Sequence, residues 1–365
     1  MKQLIFISLL FLIGCTTISQ TNNNQTENVT TQKIIFQYSP VNMEKTAVVI
    51  PFGLMIGGHV TPVDHQYFQN FTNTEQNIEV YSPGNGIITS IQQMEGAPGT
   101  DYRVEIKHTD KISSIFIHIY LLSDKIMQYA PQTGYKNVNI PVNAGETIGY
   151  YTQNVDYNIV DLDYTRTGLL IPEHYIGEPW KVHVPDTLDY FTDEIKNEII
   201  AKSLRTTEPI SGKFDYDIDG RLIGNWFEQG TNGYQGVNQS NYWITHLSIS
   251  PDYLDNNHII VSLGDYNGEA KQFGVKGDEP NPANVSVQTG TIKYELVDYT
   301  YYLTNGSYWD RISLTKDPIA VNYNETIGTI LLQLITNRTL KVEIFPNKTA
   351  NEVTNFTQNS KTYER

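Results

Sequence analysis

The chain has 365 residues, a length that suggests two domains, and its 25 Lys and Arg stand against 40 Asp and Glu, a formal charge of −15. So acidic a surface repels phosphate backbones and argues against a nucleic-acid partner, while 39% hydrophobic residues supply material for a core and exclude a chain disordered throughout. With 26 Gly, 16 Pro and 25 Tyr the composition favours a mainly β, turn-rich protein, and a single cysteine excludes an intrachain disulfide and a cysteine-based zinc cluster.

Met1-Lys2 gives a basic start, and Leu4 to Ile13 is apolar apart from Ser8. That run is too short to span a bilayer as a helix, which takes about 20 residues. It suits the apolar core of a secretory signal, with small Gly14 at the cleavage position. The ending Leu12-Ile13-Gly14-Cys15 resembles the lipobox of prokaryotic lipoproteins. The resemblance implies that residues 1–14 are a signal peptide, that Cys15 is lipidated, and that the protein is extracytoplasmic, held to the cell membrane by that lipid. Residues 15–32, almost wholly Thr, Ser, Asn and Gln after the cysteine, read as a flexible tether with a reach of roughly 20–25 Å. The later apolar run Ile327 to Ile335 is interrupted by Gly328, Thr329 and Gln333, so the expectation is anchoring without threading. Asn-x-Ser/Thr sequons at Asn24, Asn28, Asn70, Asn238, Asn284, Asn305, Asn324, Asn337, Asn347 and Asn355 are glycan acceptors wherever they lie on exposed loops of a secreted chain.

Residues 33–184 read as one β domain of short strands. Val80 to Ile88 is strand, turn, strand; Arg103 to His108 alternates; Ser114 to Tyr120 is nearly continuous apolar, as in a strand covered on both faces. Over residues 185–205, Leu188, Phe191, Ile195 and Ile199 recur at helical spacing, with acids early and Lys202 and Arg205 late, which predicts one connecting helix. Residues 206–365 return to β. Leu331 to Ile335 and Leu340 to Phe345 flank a hairpin turn, and Gly224-Asn225-Trp226 is similar to the strand opening of lipocalin-like barrels. An antiparallel barrel or a sandwich fits this half. Asp215, Asp217 and Asp219 before Gly220 are spaced like a calcium loop, but the closing Glu is missing.

The chemistry-bearing stretch is Gly57-Gly58-His59-Val60-Thr61-Pro62-Val63-Asp64-His65, which sets two imidazoles and a carboxylate close together. These types ligate Zn²⁺, and a turn held by an Asp side chain would have the same appearance. The stretch is followed in order by Pro83-Gly84-Asn85-Gly86, then Phe116-Ile117-His118-Ile119, then Pro141-Val142-Asn143-Ala144-Gly145-Glu146-Thr147-Ile148-Gly149. In that order the segments resemble the lysostaphin-like and β-lytic zinc endopeptidase family, over roughly residues 50–180. The resemblance implies a β-sandwich of the duplicated-hybrid-motif type. It implies a divalent metal, zinc or another cation, held by His59, Asp64 and Asp163, with His118 and Asp161 as the catalytic pair beside the attacking water.

Two departures stand out. Four residues separate His59 from Asp64 where the family has three, and Asp161-Leu162-Asp163 stands where the family closes with His-x-His. A site of one His and two carboxylates prefers oxygen-loving ions and makes its bound water a weaker acid. An ionised Asp161 would repel the oxyanion that a histidine stabilises. The expectation is therefore a membrane-anchored lipoprotein with a peptidase-like fold that binds an envelope peptide, glycan or protein without cutting it. The alternative is an active metalloendopeptidase with an altered His/Asp/Asp site.

Overall fold

A computed structural model describes residues 33–71, 76–94, 100–277 and 280–365. The signal peptide, Cys15 with its lipidation, the tether and the sequons at Asn24 and Asn28 lie outside the described residues. The fold is mainly β. The first ten strands are Val48–Ile50 (β1), Gln66–Gln69 (β2), Ile78–Tyr81 (β3), Gly86–Gln93 (β4), Tyr102–Lys107 (β5), Ile112–Ile119 (β6), Leu121–Leu122 (β7), Gly134–Val142 (β8), Thr147–Tyr151 (β9) and Asn154–Asp161 (β10). Seven form one sheet in the order β1-β2-β10-β6-β5-β4-β8, and β3-β9-β7 form a second. Central position explains the apolar strands: β10 lies between β2 and β6, and from Val155 to Val160 every residue is buried. The Gly145 to Gly149 segment matters where the sheets meet. A Cβ on Gly149 would lie 2.5 Å from Ile119 Cγ2 and 2.7 Å from the Leu121 carbonyl oxygen, so only glycine lets β9 come this close.

The predicted connecting helix is split. Thr187–Tyr190 is a 3-10 turn and the α-helix runs Asp193–Lys202. The break has a hydrogen-bonding cause: the Phe36 N–H donates to the Tyr190 carbonyl (2.7 Å) and the Thr192 N–H donates to the Phe36 carbonyl (3.0 Å). Phe191 is thereby drawn out as an extended bridge to Phe36.

The second half is a closed barrel, which resolves the barrel-or-sandwich alternative. Its strands are Gly224–Glu228 (β11), His246–Pro251 (β12), Ile259–Tyr266 (β13), Glu269–Val275 (β14), Thr291–Tyr302 (β15), Ile319–Thr336 (β16), Thr339–Pro346 (β17) and Lys361–Glu364 (β18). Each pairs antiparallel with the next, and β18 closes on β11 through Phe227 and Glu364. This is the up-and-down, eight-stranded arrangement that lipocalins also use. Alternate residues fill its interior, among them Trp226, Leu247, Val261, Phe273, Leu296, Ile330, Leu332 and Val342. The Arg365 guanidinium lies 4.0 Å above the Trp226 ring and donates to Asp217 Oδ1 at 3.2 Å.

That contact removes the calcium-loop reading. Asp217 also accepts from the backbone of Asn225 and Leu170, and Asp215 accepts from Arg166 and Lys213, so protein cations and amides already hold these carboxylates. The sequon at Asn70 is no surface acceptor either, for that residue is 2% exposed. Sheet and barrel share apolar clusters: Ile115 and Val160 pack with Phe227 and Tyr234, and Val48, Ile50 and Tyr67 with Tyr253 and Tyr301. Residues 35–365 pack as a single unit.

Candidate functional site

Where β2, β6 and β10 lie side by side, a cavity of about 360 Å³ gathers His59, Asp64 and His118 with His65, Asp156 and Lys181. Asp64 and His65 end the turn that enters β2. His118 owes its aim to a β-bulge. The β5–β6 register passes from Val104 opposite Phe116 to Tyr102 opposite Ile119, so Ile117 and His118 share the one partner Arg103. His118 takes φ +73° there, a left-handed conformation that is costly for a residue with a Cβ and is found where the surroundings over-determine it. Asp156 sits opposite Tyr67 of β2 and Ile117 of β6, and Asn158 follows two residues on, facing the same side.

Lys181 comes from the 3-10 turn Pro179–His183 and is 3% exposed. Its ammonium donates to Asp64 Oδ1 at 2.8 Å, lies 3.3 Å from Glu178 Oε2, and sits 4.7 Å from the centre of the Tyr234 ring. Tyr234 and Tyr242, both from the turns between β11 and β12, close the cavity from the barrel side. Burial works against both charges, but each partner outweighs it. Asp64 is held well below the usual carboxylate range by Lys181 and His65, and Lys181 is held above the usual lysine range by Asp64 and Glu178. Asn158 Nδ2 approaches Asp64 Oδ2 at 3.4 Å, and Asn158 Oδ1 is buried without a partner among the described residues.

The imidazoles divide into two kinds. Burial, with the neighbouring His65 and Lys181, pushes His59 down to about 4. His65 has Nδ1 3.4 Å from Asp64 and Nε2 3.3 Å from Asp156; burial lowers it, but those carboxylates prevail and its pKa stands above the ordinary imidazole value. His118 Nδ1 contacts Asp101 Oδ2 at 2.9 Å and Nε2 lies 3.6 Å from Asp156; here too the carboxylates outweigh burial. Asp156 itself is raised, because burial exceeds the help from His65 and His118.

Of the expected site residues, the structure brings His59, Asp64 and His118 together and leaves out Asp161 and Asp163. Asp161 is the last residue of β10, opposite Ile112, five residues or about 17 Å along the strand from Asp156. It accepts from the Tyr190 hydroxyl at 2.5 Å. Asp163 lies in the turn beyond the strand, about half exposed and paired with Lys111 at 3.0 Å. The two therefore do not share a strand face, and the i, i+2 pair that does face the cavity is Asp156 and Asn158.

The residues present do not fit a zinc ion. Asp64 is engaged by Lys181 and His118 by Asp101, and among the described residues no group of three or more His, Cys, Asp or Glu side chains is placed to hold a metal. Lys181, Asp156 and Asn158 were not singled out by sequence reasoning, and His65 was given no role beyond its place beside Asp64. Asp156 and Asn158 did carry a signal: two polar residues inside the otherwise apolar run Val155 to Val160. Lys181 carried none. No family model matches the chain, and no curated protein is significantly similar to it.

Proposed function

We propose that this chain is a membrane-anchored extracytoplasmic lipoprotein with a peptidase-like β domain that binds an envelope component and does not hydrolyse it. One observation carries the reading: the buried Lys181 ammonium lies on Asp64, the carboxylate that the family resemblance assigns to the metal. An ammonium neutralises a carboxylate as a metal would, but it offers no open coordination position for water and cannot act as a Lewis acid. Tyr234 and Tyr242, which wall the same cavity from the barrel side, add support by narrowing the space beside Asp64. The anchoring half rests on the Leu12-Ile13-Gly14-Cys15 sequence.

The test is elemental analysis of the purified protein together with digestion of Gly- and Ala-rich cross-link peptides. The expected result is no stoichiometric metal and no cleavage, with or without added Zn²⁺. Stoichiometric zinc with cleavage abolished by His59→Ala would overturn the reading and establish the metalloendopeptidase alternative. Cys15→Ser is expected to release the protein from the membrane fraction.

A further inference from the structure

The ladder between β14 and β15 is short. It sets Gly274 opposite Val297 and Val275 opposite Leu296, with the Lys276 N–H donating to the Glu295 carbonyl at 2.9 Å, and goes no further. In the same register residues 298–302 would face residues 269–273. Instead β15 leaves the barrel wall with β16 and packs on the first sheet, Tyr299, Tyr301 and Ala320 lying against Val48, Ile50 and Tyr67. Residues 269–273 are thus paired with β13 on one side and, among the described residues, with no strand on the other. We propose that this open edge of β14 takes up an extended peptide as an added strand, whose apolar side chains enter the cavity beside it. The proposal rests on the reading that the chain binds an envelope component, and it names the class of that component and the place.

The main chain supplies the first argument. Lys276 directs its N–H toward β15, and every second residue along a strand directs its main-chain groups to the same side, so the N–H and carbonyl of Gln272 point to the open side. The Gln272 side chain is engaged elsewhere. Its amide exchanges two 3.0 Å hydrogen bonds with the N–H and carbonyl of Gly57, which ties the turn before β2 to the barrel and leaves the strand's own main-chain groups unused. β15 does not offer the same. The Trp309 N–H donates to the Tyr301 carbonyl at 3.0 Å, Tyr302 is bridged to Tyr308, and Arg311 reaches the Tyr299 carbonyl at 3.4 Å, so that edge is covered by its own connection to β16. An unpaired strand edge is matched by another main chain, which is how sheets capture extended peptides.

The second argument is the cavity, about 680 Å³, which reaches from Gln272 and Asp298 at this edge to Tyr67 of β2. Its walls are chiefly apolar, with Leu54, Met55 and Ile56 ahead of β2 and Phe71 behind it. Of this lining Ile56 is 55%, Phe71 43% and Tyr323 46% exposed, large apolar groups that a seated peptide would cover. A strand added to β14 turns every second side chain toward these walls. Charge is the third argument. Asp298, the acid in the lining, faces Lys271 at 3.3 Å, and a formal charge of −15 on the whole chain favours a neutral or basic strand over an acidic one.

Calorimetric titration of the full chain tests this with a capped octapeptide, Lys-Val-Thr-Val-Thr-Val-Thr-Lys, and two versions of it, one N-methylated at the valines and one at the threonines. A strand bonded along one edge uses the N–H groups of alternate residues, so one methylated version is expected to bind at least tenfold more weakly and the other within about threefold of the parent. Tyr323→Ala, at an exposed position, should weaken the parent peptide at least tenfold with an unchanged urea midpoint. Absence of parent binding, equal loss in both methylated peptides, or unchanged binding in Tyr323→Ala overturns the proposal and leaves the non-catalytic reading standing. Dimerisation in sedimentation that excludes the peptide and is abolished by Tyr323→Ala gives the edge to a second copy of the chain, which also overturns it. Zinc-dependent cleavage of a Gly-rich peptide defeats the non-catalytic reading instead, and the titrations, run with a chelator present, still decide the edge.

Discussion

Replacing Lys181 by Met keeps the aliphatic stem and removes the charge, and its cost can be worked from the geometry. At 2.8 Å from Asp64 Oδ1, two unit charges attract by about 6 kcal/mol at an effective dielectric constant of about 20. Most of that attraction offsets the burial of both groups, which are each 3% exposed. Removing Lys181 leaves Asp64 buried with only His65 and Asn158 against it, at a cost of about 3–5 kcal/mol. Lys181→Met is therefore expected to lose that much in urea unfolding at pH 7. Asp64→Asn should lose less, because Lys181 retains Glu178 at 3.3 Å and the Tyr234 ring. The double variant should recover at least 2 kcal/mol relative to the sum of the single losses. The pH dependence follows from the directions of the shifts. Asp64 is depressed, so its contribution is full above the ordinary carboxylate pKa near ~4 and is lost as pH falls through the lower folded value. Lys181 is raised, so its contribution is full below about 10.4 and is lost as pH rises through the higher folded value. Because Asp64 and Lys181 also act on His59 and His65, the comparison with the double variant is made at fixed pH 8. A loss under about 1 kcal/mol in Lys181→Met would refute the internal ion pair.

His246, enclosed by Phe227, Tyr234 and Tyr242, is pushed down to about 3 by burial. The unfolded chain takes up a proton near ~6.5, so stability should decline from there and go on falling as pH drops through about 3. His246→Phe should flatten that decline in urea midpoints taken between pH 7 and 4; an unchanged profile would remove His246 as a cause. Arg365→Ala leaves Asp217 buried without its guanidinium and uncovers the Trp226 ring, for a loss of about 3–5 kcal/mol that Arg365→Lys restores only in part. Asp163→Ala should change stability by no more than about 0.5 kcal/mol in urea unfolding, since it severs only the exposed pair with Lys111; a larger loss would show that more than this pair holds the residue.

The strands were legible because each obeys a local rule. Arg103 to His108 alternates and falls largely in β5; Ser114 to Tyr120 is nearly continuous apolar and falls largely in the central β6; the turn at Asn337-Arg338 joins β16 to β17 with Thr336 opposite Thr339. The single connecting helix failed because nothing in its own periodicity announces the main-chain bonds to Phe36 that pull Phe191 into an extended bridge. The site divides in the same way. His59 and Asp64 are neighbours in sequence, and His118 closes an apolar strand, so all three could be picked out locally. Asp161-Leu162-Asp163 has the wanted spacing in letters, but the i, i+2 pair that faces the cavity is Asp156 and Asn158, five residues earlier. The end of β10 at Asp161 puts Asp163 in a turn. Lys181 lies 117 positions from Asp64, in a short turn whose residues look like any loop, and only the packing of that turn under Tyr234 brings the charge inside.

A cation held by a four-carbon stem and a cation held by three ligands answer the same electrostatic need of Asp64, yet they leave different chemistry behind. A bound divalent ion keeps a position open and brings its water toward neutral acidity. The Lys181 ammonium has three protons. One is donated to Asp64, while the Glu178 carboxylate at 3.3 Å and the face of Tyr234 stand beside the charge. On the proposed reading the cleft keeps the charge balance of a metal site and loses its reactivity. His118, drawn toward its charged form by Asp101 and Asp156, and His65, drawn there by Asp156 and Asp64, become fixed dipoles and charges around that centre.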